Sequence, residues 1–306
     1  MKYLVTGGDG FIGKSVVKSL IGMGHFVRIL DNHFRSTSIF DDEKLVESIT
    51  GDIRDSTTVD SACHGIDAIV HLASINGTKY FYENPSLVAE VGILGMVNIT
   101  QAAKKFGVRD FTLFSSSEVY QTPITIPTSE NVPLVIPDIR NPRYSYGGAK
   151  IASELILTHM SEGVFDFRRI IRPHNIYGPG MNPDHVIPAL IAKLKVENSE
   201  LEIQGDGKQT RAFCYIEDFA SAFNLVISEK SEYQIYNIGV DQETSILNLA
   251  KRLLEISGIK KTITTSTSNA GETLRRCPDI SLITSLGFKQ RWTLEDGLRE
   301  TWENSN

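Results

Sequence analysis

The feature that most constrains this chain is a glycine-rich turn between a short apolar strand and an amphipathic helix. The strand pattern Tyr3–Thr6 runs directly into Gly7-Gly8-Asp9-Gly10-Phe11-Ile12-Gly13, after which apolar residues recur at helical spacing. Glycine suits such a turn because it visits positive φ and lets the backbone approach a ligand closely. The N-terminus of the following helix then faces bound phosphates. The pattern predicts a dinucleotide site at Gly7, Gly10, Phe11, Ile12 and Gly13.

An acidic residue, Asp31, follows the second strand pattern and lies 18 residues beyond Gly13. A carboxylate at this point accepts the ribose hydroxyls and repels a 2′-phosphate, so it favours NAD over NADP. Arg35 argues the other way, because a guanidinium four residues later can reach a 2′-phosphate. A solvated loop charge is its more ordinary interpretation. Further cofactor contacts are expected at later strand ends and on a later helix, from Asn32, Asp52, Ile53, Leu72, Ala73, Ser74, Tyr146, Lys150 and Pro173.

Short β-branched runs alternate with longer amphipathic segments through the first half of the chain. Strands separated by helices imply βαβ units, and right-handed crossovers then build a parallel sheet. After residue 180 the alternation becomes irregular. We therefore expect an α/β fold, a Rossmann-type doubly wound parallel sheet with a smaller C-terminal substrate-binding lobe. The NAD-binding domain is assigned to residues 1–177, with segments near 210–240 returning to it, and the lobe to residues 178–306.

Composition narrows the function classes. Thirty-one basic and thirty-seven acidic residues give a formal net charge of −6, which disfavours a nucleic-acid surface. The three cysteines, Cys63, Cys214 and Cys277, are too widely spaced for a disulfide framework or a CxxC metal site, so no metal and a cytoplasmic location are expected. Met1 leads straight into a strand without a secretion pattern, and no run of 18 consecutive apolar residues predicts a membrane span.

The predicted helix Ser145–Met160 carries Tyr146 and Lys150 four residues apart, on one face. A free tyrosine titrates near pH ~10. An adjacent positive charge favours the phenolate, a base that can take a proton from a sugar hydroxyl during hydride transfer. The strand pattern Phe111–Ser115 delivers further polar groups to the carboxyl edge of the sheet, where Ser116 can complete a proton relay with Tyr146.

These motifs together resemble the extended short-chain dehydrogenase/reductase family of NAD-dependent nucleotide-sugar epimerases, dehydratases and decarboxylases. The likeness covers nearly the whole chain and rests on the glycine turn, Asp31, Gly51-Asp52, His71-Leu72-Ala73, Ser115–Tyr120, Tyr146 with Lys150, and Arg172–Pro179. It implies that Ser116, Tyr146 and Lys150 are catalytic and that Ser117 and Asn175 bind the sugar nucleotide. It further implies that Arg211 and Arg276 hold the diphosphate of a UDP or dTDP sugar, and that the protein is a homodimer packed through Pro85–Phe106 and Ser145–Met160.

The sequence leaves several reactions open. C4 epimerisation through a transient 4-keto sugar needs no further acid or base, and we place it first. Glu118 keeps 4,6-dehydration or C5 inversion open, because a carboxylate beside the keto sugar can remove the C5 proton, and uronic acid decarboxylation is a third route. Two departures from the family pattern bear on this choice: Ser117-Glu118 replaces the dehydratase Asp-Glu pair, and Gly178-Pro179-Gly180 lacks the arginine common in decarboxylases.

A third departure is Gln121, which stands where the family usually has glycine. An alternative of another class is a non-catalytic NAD-sensing protein that binds a partner through its second lobe. The presence of both Tyr146 and Lys150 argues against that alternative, because a sensor needs no proton relay.

Overall fold

The computed structural model describes residues 1–267 and 273–305, which fall into two compact units. Unit 1 comprises Met1–Tyr120, Leu134–Arg172 and Phe223–Tyr236, and unit 2 comprises Gln121–Pro133, Pro173–Ala222 and Asn237–Asn306. The sequence pattern predicts a change of domain at residue 177 and a return near 210–240. In the structure the chain enters unit 2 first for the short segment Gln121–Pro133 and again at Pro173. The segment that returns to unit 1, Phe223–Tyr236, comprises part of a helix and part of a strand.

The strands of the described residues are β1 Lys2–Thr6, β2 Phe26–Asp31, β3 Val46–Thr50, β4 Ala68–His71, β5 Asp110–Phe114, β6 Phe167–Pro173, β7 Ile176–Tyr177, β8 Glu200–Gln204, β9 Thr210–Ala212, β10 Cys214–Tyr215, β11 Tyr233–Ile238, β12 Glu243–Ser245, β13 Thr262–Ser266 and β14 Arg275–Arg276. The α-helices are α1 Phe11–Gly22, α2 Ser56–Cys63, α3 Thr78–Glu83, α4 Pro85–Ala89, α5 Gly95–Phe106, α6 Ser145–His159, α7 Val186–Lys195, α8 Ile216–Ser228, α9 Ile246–Ser257, α10 Ser281–Ser285 and α11 Leu294–Glu303.

A seven-stranded sheet with the order β11-β6-β5-β4-β1-β2-β3 forms the centre of the fold. Neighbouring strands from β1 to β6 run parallel, and β4 and β5 are buried along their whole length because helices cover both faces. The strand order reverses between β1 and β4, which is where doubly wound sheets bind ligands beyond their carboxyl ends. The Rossmann-type fold expected from the sequence is confirmed.

The segment from Pro85 to Phe106 forms a helical stretch with a π-helical turn, Glu90–Leu94, between α4 and α5. By length and composition alone, this stretch could cross a membrane. In the structure, however, 56% of its most apolar 18-residue segment is buried inside the protein. A Cβ at Gly92 would lie 2.8 Å from the Cβ of Ala149, and one at Gly95 would lie 2.3 Å from Ile53 Cδ1. These close contacts give the stretch the packing of a core helix.

Unit 2 contains three small sheets and its own apolar core. β7 pairs with β10, β9 lies between β12 and β14, and β8 pairs with β13. The core includes Tyr177, whose hydroxyl donates to Leu294 O at 3.3 Å. His174 is fully buried, with its Nε2 3.0 Å from Asn237 Oδ1. Both side chains are therefore held by contacts within unit 2.

Candidate active site

The glycine turn is too tightly folded to accept side chains. Gly7 has φ +71°, and a Cβ added there would lie 2.9 Å from Ala73 N. A Cβ on Gly13 would lie 2.1 Å from Gly7 O, well inside contact distance. Phe11 and Ile12 open α1, with Gly10 at its N-cap. The turn therefore leaves a backbone cradle at a helix N-terminus, which fits the pyrophosphate of a dinucleotide.

Asp31 ends β2 beside this cradle and is only 8% exposed. Its Oδ2 accepts from Asp9 N at 3.1 Å, and its Oδ1 accepts from His33 N at 2.9 Å and Ser36 Oγ at 3.1 Å. These bonds fix the carboxylate as an acceptor next to the turn, as contact with ribose hydroxyls requires. Arg35, the residue that argued for a 2′-phosphate, instead donates to Asn76 O.

Asp9, inside the turn, is a feature that the sequence reasoning passed over. Its side chain is buried, and its Oδ2 lies 3.7 Å from His33 Nδ1. Burial and the neighbouring charge of Asp31 raise the pKa of the Asp9 carboxyl. Two acidic side chains therefore lie close together at the ribose end of the cradle.

Asn32 and Asp52 lie at adjacent strand ends, with Asn32 Nδ2 3.3 Å from Asp52 Oδ2. Arg54 donates to both oxygens of Asp52, at 3.0 and 2.8 Å, and this pairing lowers the pKa of Asp52 to about 2. Ile53 is buried, and its carbonyl accepts from Asn98 Nδ2 at 3.0 Å. The contacts of Asn32, Asp52 and Ile53 with the adenine side of a cofactor stay predictions.

Leu72, Ala73 and Ser74 follow β4 directly and adjoin the glycine turn. Leu72 N donates to Thr6 O at 3.0 Å, and Ala73 N donates to Thr6 Oγ1 at 3.2 Å. The same Thr6 hydroxyl lies 2.7 Å from His71 Nδ1. Burial, assisted by the charge of Lys150, lowers the pKa of His71 to about 3, so this imidazole is neutral. A neutral histidine thus anchors the end of β1 to the end of β4.

Helix α6 places Tyr146 and Lys150 in the interior of unit 1. Tyr146 is 5% exposed and Lys150 is 3% exposed. Lys150 Nζ donates to Phe114 O at 2.7 Å, and it lies 5.7 Å from the centre of the Tyr146 ring. On its other side the Tyr146 ring stacks on Phe81, with ring centres 5.2 Å apart and planes inclined by 13°. The two side chains that the sequence pairs do share one face of the helix.

The electrostatics of the pair differ from the sequence expectation. Burial raises the pKa of Tyr146 to about 12, and hydrogen bonding with the Ser116 and Ser74 hydroxyls opposes that rise. Burial also lowers the pKa of Lys150 to about 8. The lysine does not produce a phenolate by itself, because it is desolvated and bonded to a carbonyl. What the chain provides is a buried phenol whose pKa the hydroxyls of Ser116 and Ser74 hold down.

The segment after β5 supplies the other predicted catalytic groups. Ser116 Oγ accepts from Glu118 N at 3.2 Å, and Ser117 is buried. Both Glu118 oxygens accept from Arg143 Nη2, at 3.1 and 3.0 Å. The charge of Glu118 contributes to the raised pKa of Tyr146, so the carboxylate acts on the phenol electrostatically. The sequence patterns did not indicate Arg143, the partner of Glu118, as a site residue.

A buried ion pair beneath this segment was also missed. Arg172 donates to both oxygens of Glu154, at 2.9 and 2.6 Å, and to the Tyr120 hydroxyl at 2.8 Å. Ser115 Oγ donates to the same Glu154 carboxylate. The available signal was Glu154, one helical turn beyond Lys150 on the buried face of α6. This network ties the end of β5, and with it Ser116, to the catalytic helix.

Three of the predicted sugar-nucleotide residues, Asn175, Arg211 and Arg276, lie in unit 2, whereas Ser117 lies in unit 1. Arg276 on β14 is the register partner of Arg211 on β9, so the two arginines predicted to hold a diphosphate are direct neighbours. Arg276 Nη2 donates to Thr273 Oγ1 at 3.1 Å, and Arg211 Nη1 donates to Thr210 O at 2.8 Å. Their forked guanidinium groups suit phosphate oxygens. Phosphate binding by this pair stays a prediction.

Two further residues of unit 2 have left-handed backbone conformations. Asn175 has φ +44°, and its Nδ2 donates to Ala212 O at 3.2 Å. It follows Pro173, the last residue of β6. Gln121 has φ +49° and is buried, which gives a physical reason for glycine at this position in the family, because glycine adopts positive φ without steric cost. Substrate contact by Asn175 and cofactor contact by Pro173 also stay predictions.

Among residues 1–267 and 273–305, no group of three or more His, Cys, Asp or Glu side chains is arranged to hold a metal ion. The groups in unit 1 instead combine a glycine-rich cradle at a helix N-terminus, a buried carboxylate beside it and a buried phenol. Together they can bind a cofactor and move a proton to or from a hydroxyl group beside it.

Comparison with known proteins places these features in a family. The model of the NAD dependent epimerase/dehydratase family matches residues 3–239. A UDP-N-acetyl-alpha-D-glucosaminuronate decarboxylase from Bacillus cytotoxicus is 32% identical over 97% of this chain and 95% of its own length. The structure of a dTDP-glucose 4,6-dehydratase double mutant from Streptomyces venezuelae, with NAD bound, superposes with a TM-score of 0.89, at 27% identity over 99% of this chain and 96% of that chain. A UDP-glucose 4-epimerase from Thermotoga maritima, with UDP-glucose bound, superposes with a TM-score of 0.88, at 28% identity over 99% and 98%.

Proposed function

Because this chain belongs to the NAD-dependent epimerase/dehydratase family of enzymes, we propose that it is a nucleotide-sugar epimerase that inverts C4 through a transient 4-keto sugar. The three relatives described above catalyse three different reactions on nucleotide sugars. The alternative of a non-catalytic NAD sensor is not retained, since the family consists of NAD-dependent enzymes. The reaction itself is inferred from the groups around the phenol.

The observation that carries the proposal is the pairing of Glu118 with Arg143, at 3.0 Å. Elimination of water across C5 and C6 needs a base for the C5 proton and an acid for the departing hydroxyl. In this chain Ser117 stands where dehydratases have the aspartate of their Asp-Glu pair. The Glu118 carboxylate is already paired with the Arg143 guanidinium. Epimerisation at C4 needs neither group, because one proton relay serves both half-reactions.

The residues then have these roles. In its phenolate form, Tyr146 takes the proton of the C4 hydroxyl and returns it when the keto group is reduced, and the Ser116 hydroxyl favours that ionised form because it lowers the pKa of the phenol. Asp31 holds the ribose hydroxyls of the cofactor, and the backbone of the glycine turn holds its pyrophosphate. When bound, NAD supplies the two-electron acceptor and donor. Burial of Tyr146 excludes bulk water from the labile keto sugar.

The test is incubation with UDP, dTDP, GDP and CDP sugars, followed by mass spectrometry and proton NMR. Unchanged mass with altered ring coupling is the expected result. Tyr146→Phe is expected to lower turnover about 10²- to 10⁴-fold with NAD binding unchanged. Tyr144→Phe, in the turn just before α6, is the matched control and should retain activity. Full turnover by Tyr146→Phe would contradict the assigned base.

A second candidate is C5 chemistry at Glu118, by 4,6-dehydration or uronic acid decarboxylation. One observation favours it: the charge of Glu118 raises the pKa of Tyr146, so a carboxylate lies near the keto sugar's expected position. The same incubation separates the candidates. A product lighter by water or carbon dioxide would replace the epimerase proposal with this one.

We also propose a homodimer formed through the helical stretch Pro85–Phe106 and α6. Exposed apolar side chains on these elements support it: Ile93 is 39% exposed, Leu94 45% and Leu155 55%. Light scattering after size exclusion should give twice the 34.0 kDa chain mass. Leu155→Glu should shift the protein to the monomer, and a monomeric wild type would contradict the proposal.

A further inference from the structure

Arg143 is fixed in place before the catalytic helix begins. It lies in the 3-10 turn Pro142–Tyr144, where its backbone N–H donates to the Asn141 side chain at 3.0 Å. Its guanidinium carbon lies 5.4 Å from the centre of the Phe81 ring. The side chain is 13% exposed. This turn therefore presents a largely desolvated guanidinium in a defined position.

The two terminal nitrogens of this guanidinium differ in their hydrogen bonds. Nη2 donates to both Glu118 oxygens, at 3.1 and 3.0 Å. Nη1 is buried and has no hydrogen-bond partner among the residues that the structure describes. Buried polar groups almost always have a partner, so an orphaned arginine nitrogen calls for an acceptor from outside the chain.

The orphaned nitrogen is close to the catalytic phenol. Phe81 contacts both groups, since its ring stacks on Tyr146 at 5.2 Å while the Arg143 guanidinium lies over it. Glu118, the partner of Arg143, also acts electrostatically on Tyr146. A sugar whose C4 hydroxyl meets the phenol would bring its other ring substituents towards this pair.

We propose that Arg143 is a substrate-binding residue whose Nη1 donates to an oxygen of the hexose, and that the Glu118–Arg143 pair selects neutral hexoses over uronic acids. This inference rests on the proposed function, because it takes the hexose to react at Tyr146. It adds the substrate class and a residue that determines specificity.

The selection follows from charge balance. Glu118 already neutralises Arg143, so the carboxylate of a uronic acid would make two anions share one desolvated guanidinium. Two other cations lie near the phenol, but each donates to a backbone carbonyl, Lys150 to Phe114 O and Arg35 to Asn76 O. A hydroxyl oxygen accepts from Nη1 without adding charge. A neutral hexose therefore suits the pair better.

The test measures the affinity of the NAD-loaded enzyme for UDP, UDP-glucose and UDP-glucuronic acid by titration calorimetry, with the dTDP analogues in parallel. Arg143→Met should weaken UDP-glucose binding about 10- to 100-fold, the range for a hydrogen bond to a charged group. UDP, which lacks the hexose, should bind as before. Arg140→Met is the matched control, because Arg140 also pairs with a carboxylate, that of Asp138, but its side chain is 87% exposed.

Glu118→Gln removes the carboxylate that neutralises the arginine. It should shift the affinity ratio of UDP-glucuronic acid to UDP-glucose about tenfold towards the uronic acid. Arg143→Lys keeps the charge and gives a second variant if Arg143→Met does not fold. Equal weakening of UDP and UDP-glucose by Arg143→Met, or a wild type that prefers the uronic acid, would overturn the inference.

Failure of the proposed function gives a different result. In that case mass spectrometry would show a product of changed mass, while the hexose contribution to binding would still depend on Arg143. The binding data and the product data therefore test the two proposals separately.

Discussion

The buried pair Arg172–Glu154 gives the sharpest prediction about how this fold supports its site. Their side chains are 2% and 7% exposed, and Glu154 also accepts from Ser115 at the end of β5. Substitution of Arg172 by Met leaves the carboxylate in the interior without its counter-ion. We expect the free energy of unfolding to fall by about 3–5 kcal/mol, the usual effect of removing one member of a buried ion pair.

The same substitution should also reduce turnover per folded molecule. Ser115 precedes Ser116, and a carboxylate that moves towards water would draw the end of β5 with it. A displacement near 1 Å at a reacting group lowers rates about 10²-fold. Arg172→Met should therefore show a kcat loss of about 10- to 100-fold, with less change in KM, because only the proton relay is displaced.

Arg169 on the same strand is the control. It pairs with Asp110 at similar burial, 2% and 9% exposed, and its other nitrogens donate to Glu229 O. Arg169→Met should destabilise by a comparable amount yet leave turnover per folded molecule unchanged. Urea unfolding gives the stabilities, and kinetics well below the transition give turnover. Equal kinetic losses in the two variants, or a stability loss below about 1 kcal/mol for Arg172→Met, would refute the reasoning.

Three further predictions concern the cofactor cradle and the catalytic lysine. Gly13→Ala should weaken NAD binding about 10- to 100-fold, as overpacking against Gly7 O costs about 1–3 kcal/mol. Gly22→Ala on the same helix, where a Cβ has nothing within 4 Å, should bind NAD normally. Asp31→Asn should reduce the preference for NAD over NADP in equilibrium binding about tenfold, and an unchanged ratio would exclude the carboxylate's role. Burial lowers the pKa of Lys150 in the native protein from its ordinary value to about 8, so the unfolded chain binds more protons above pH 8. Stability should therefore rise from pH 8 to 10 by up to about 2–3 kcal/mol, and unfolding of Lys150→Met across that range should lack this rise.

Local patterns made part of the site predictable. The glycine turn, Asp31 and the Tyr146–Lys150 spacing each lie within one strand-turn-helix unit, where short-range geometry fixes the relation between residues. Only the family resemblance indicated that Arg211 and Arg276 act together. The structure adds the parallel register of β9 and β14, which residue spacing does not reveal.

Other features depend on tertiary packing. Glu118 and Arg143 are 25 residues apart in the chain, and their pairing depends on how the turn before α6 meets the segment after β5. The raised pKa of Tyr146 follows from burial, which outweighs the nearby lysine that the sequence emphasises. The irregular second half of the chain also hid its small sheets, whose strands are as short as two residues.

The π-helical turn Glu90–Leu94 has a consequence for how this chain can vary. Each residue of an α-helix advances about 100° around the axis, so deletion of Ile93 or Leu94 would change the angle between the directions in which Gly92 and Gly95 face. Gly92 could then no longer meet Ala149 while Gly95 meets Ile53. Variants of this protein should therefore tolerate substitutions within the turn far better than a change in its length.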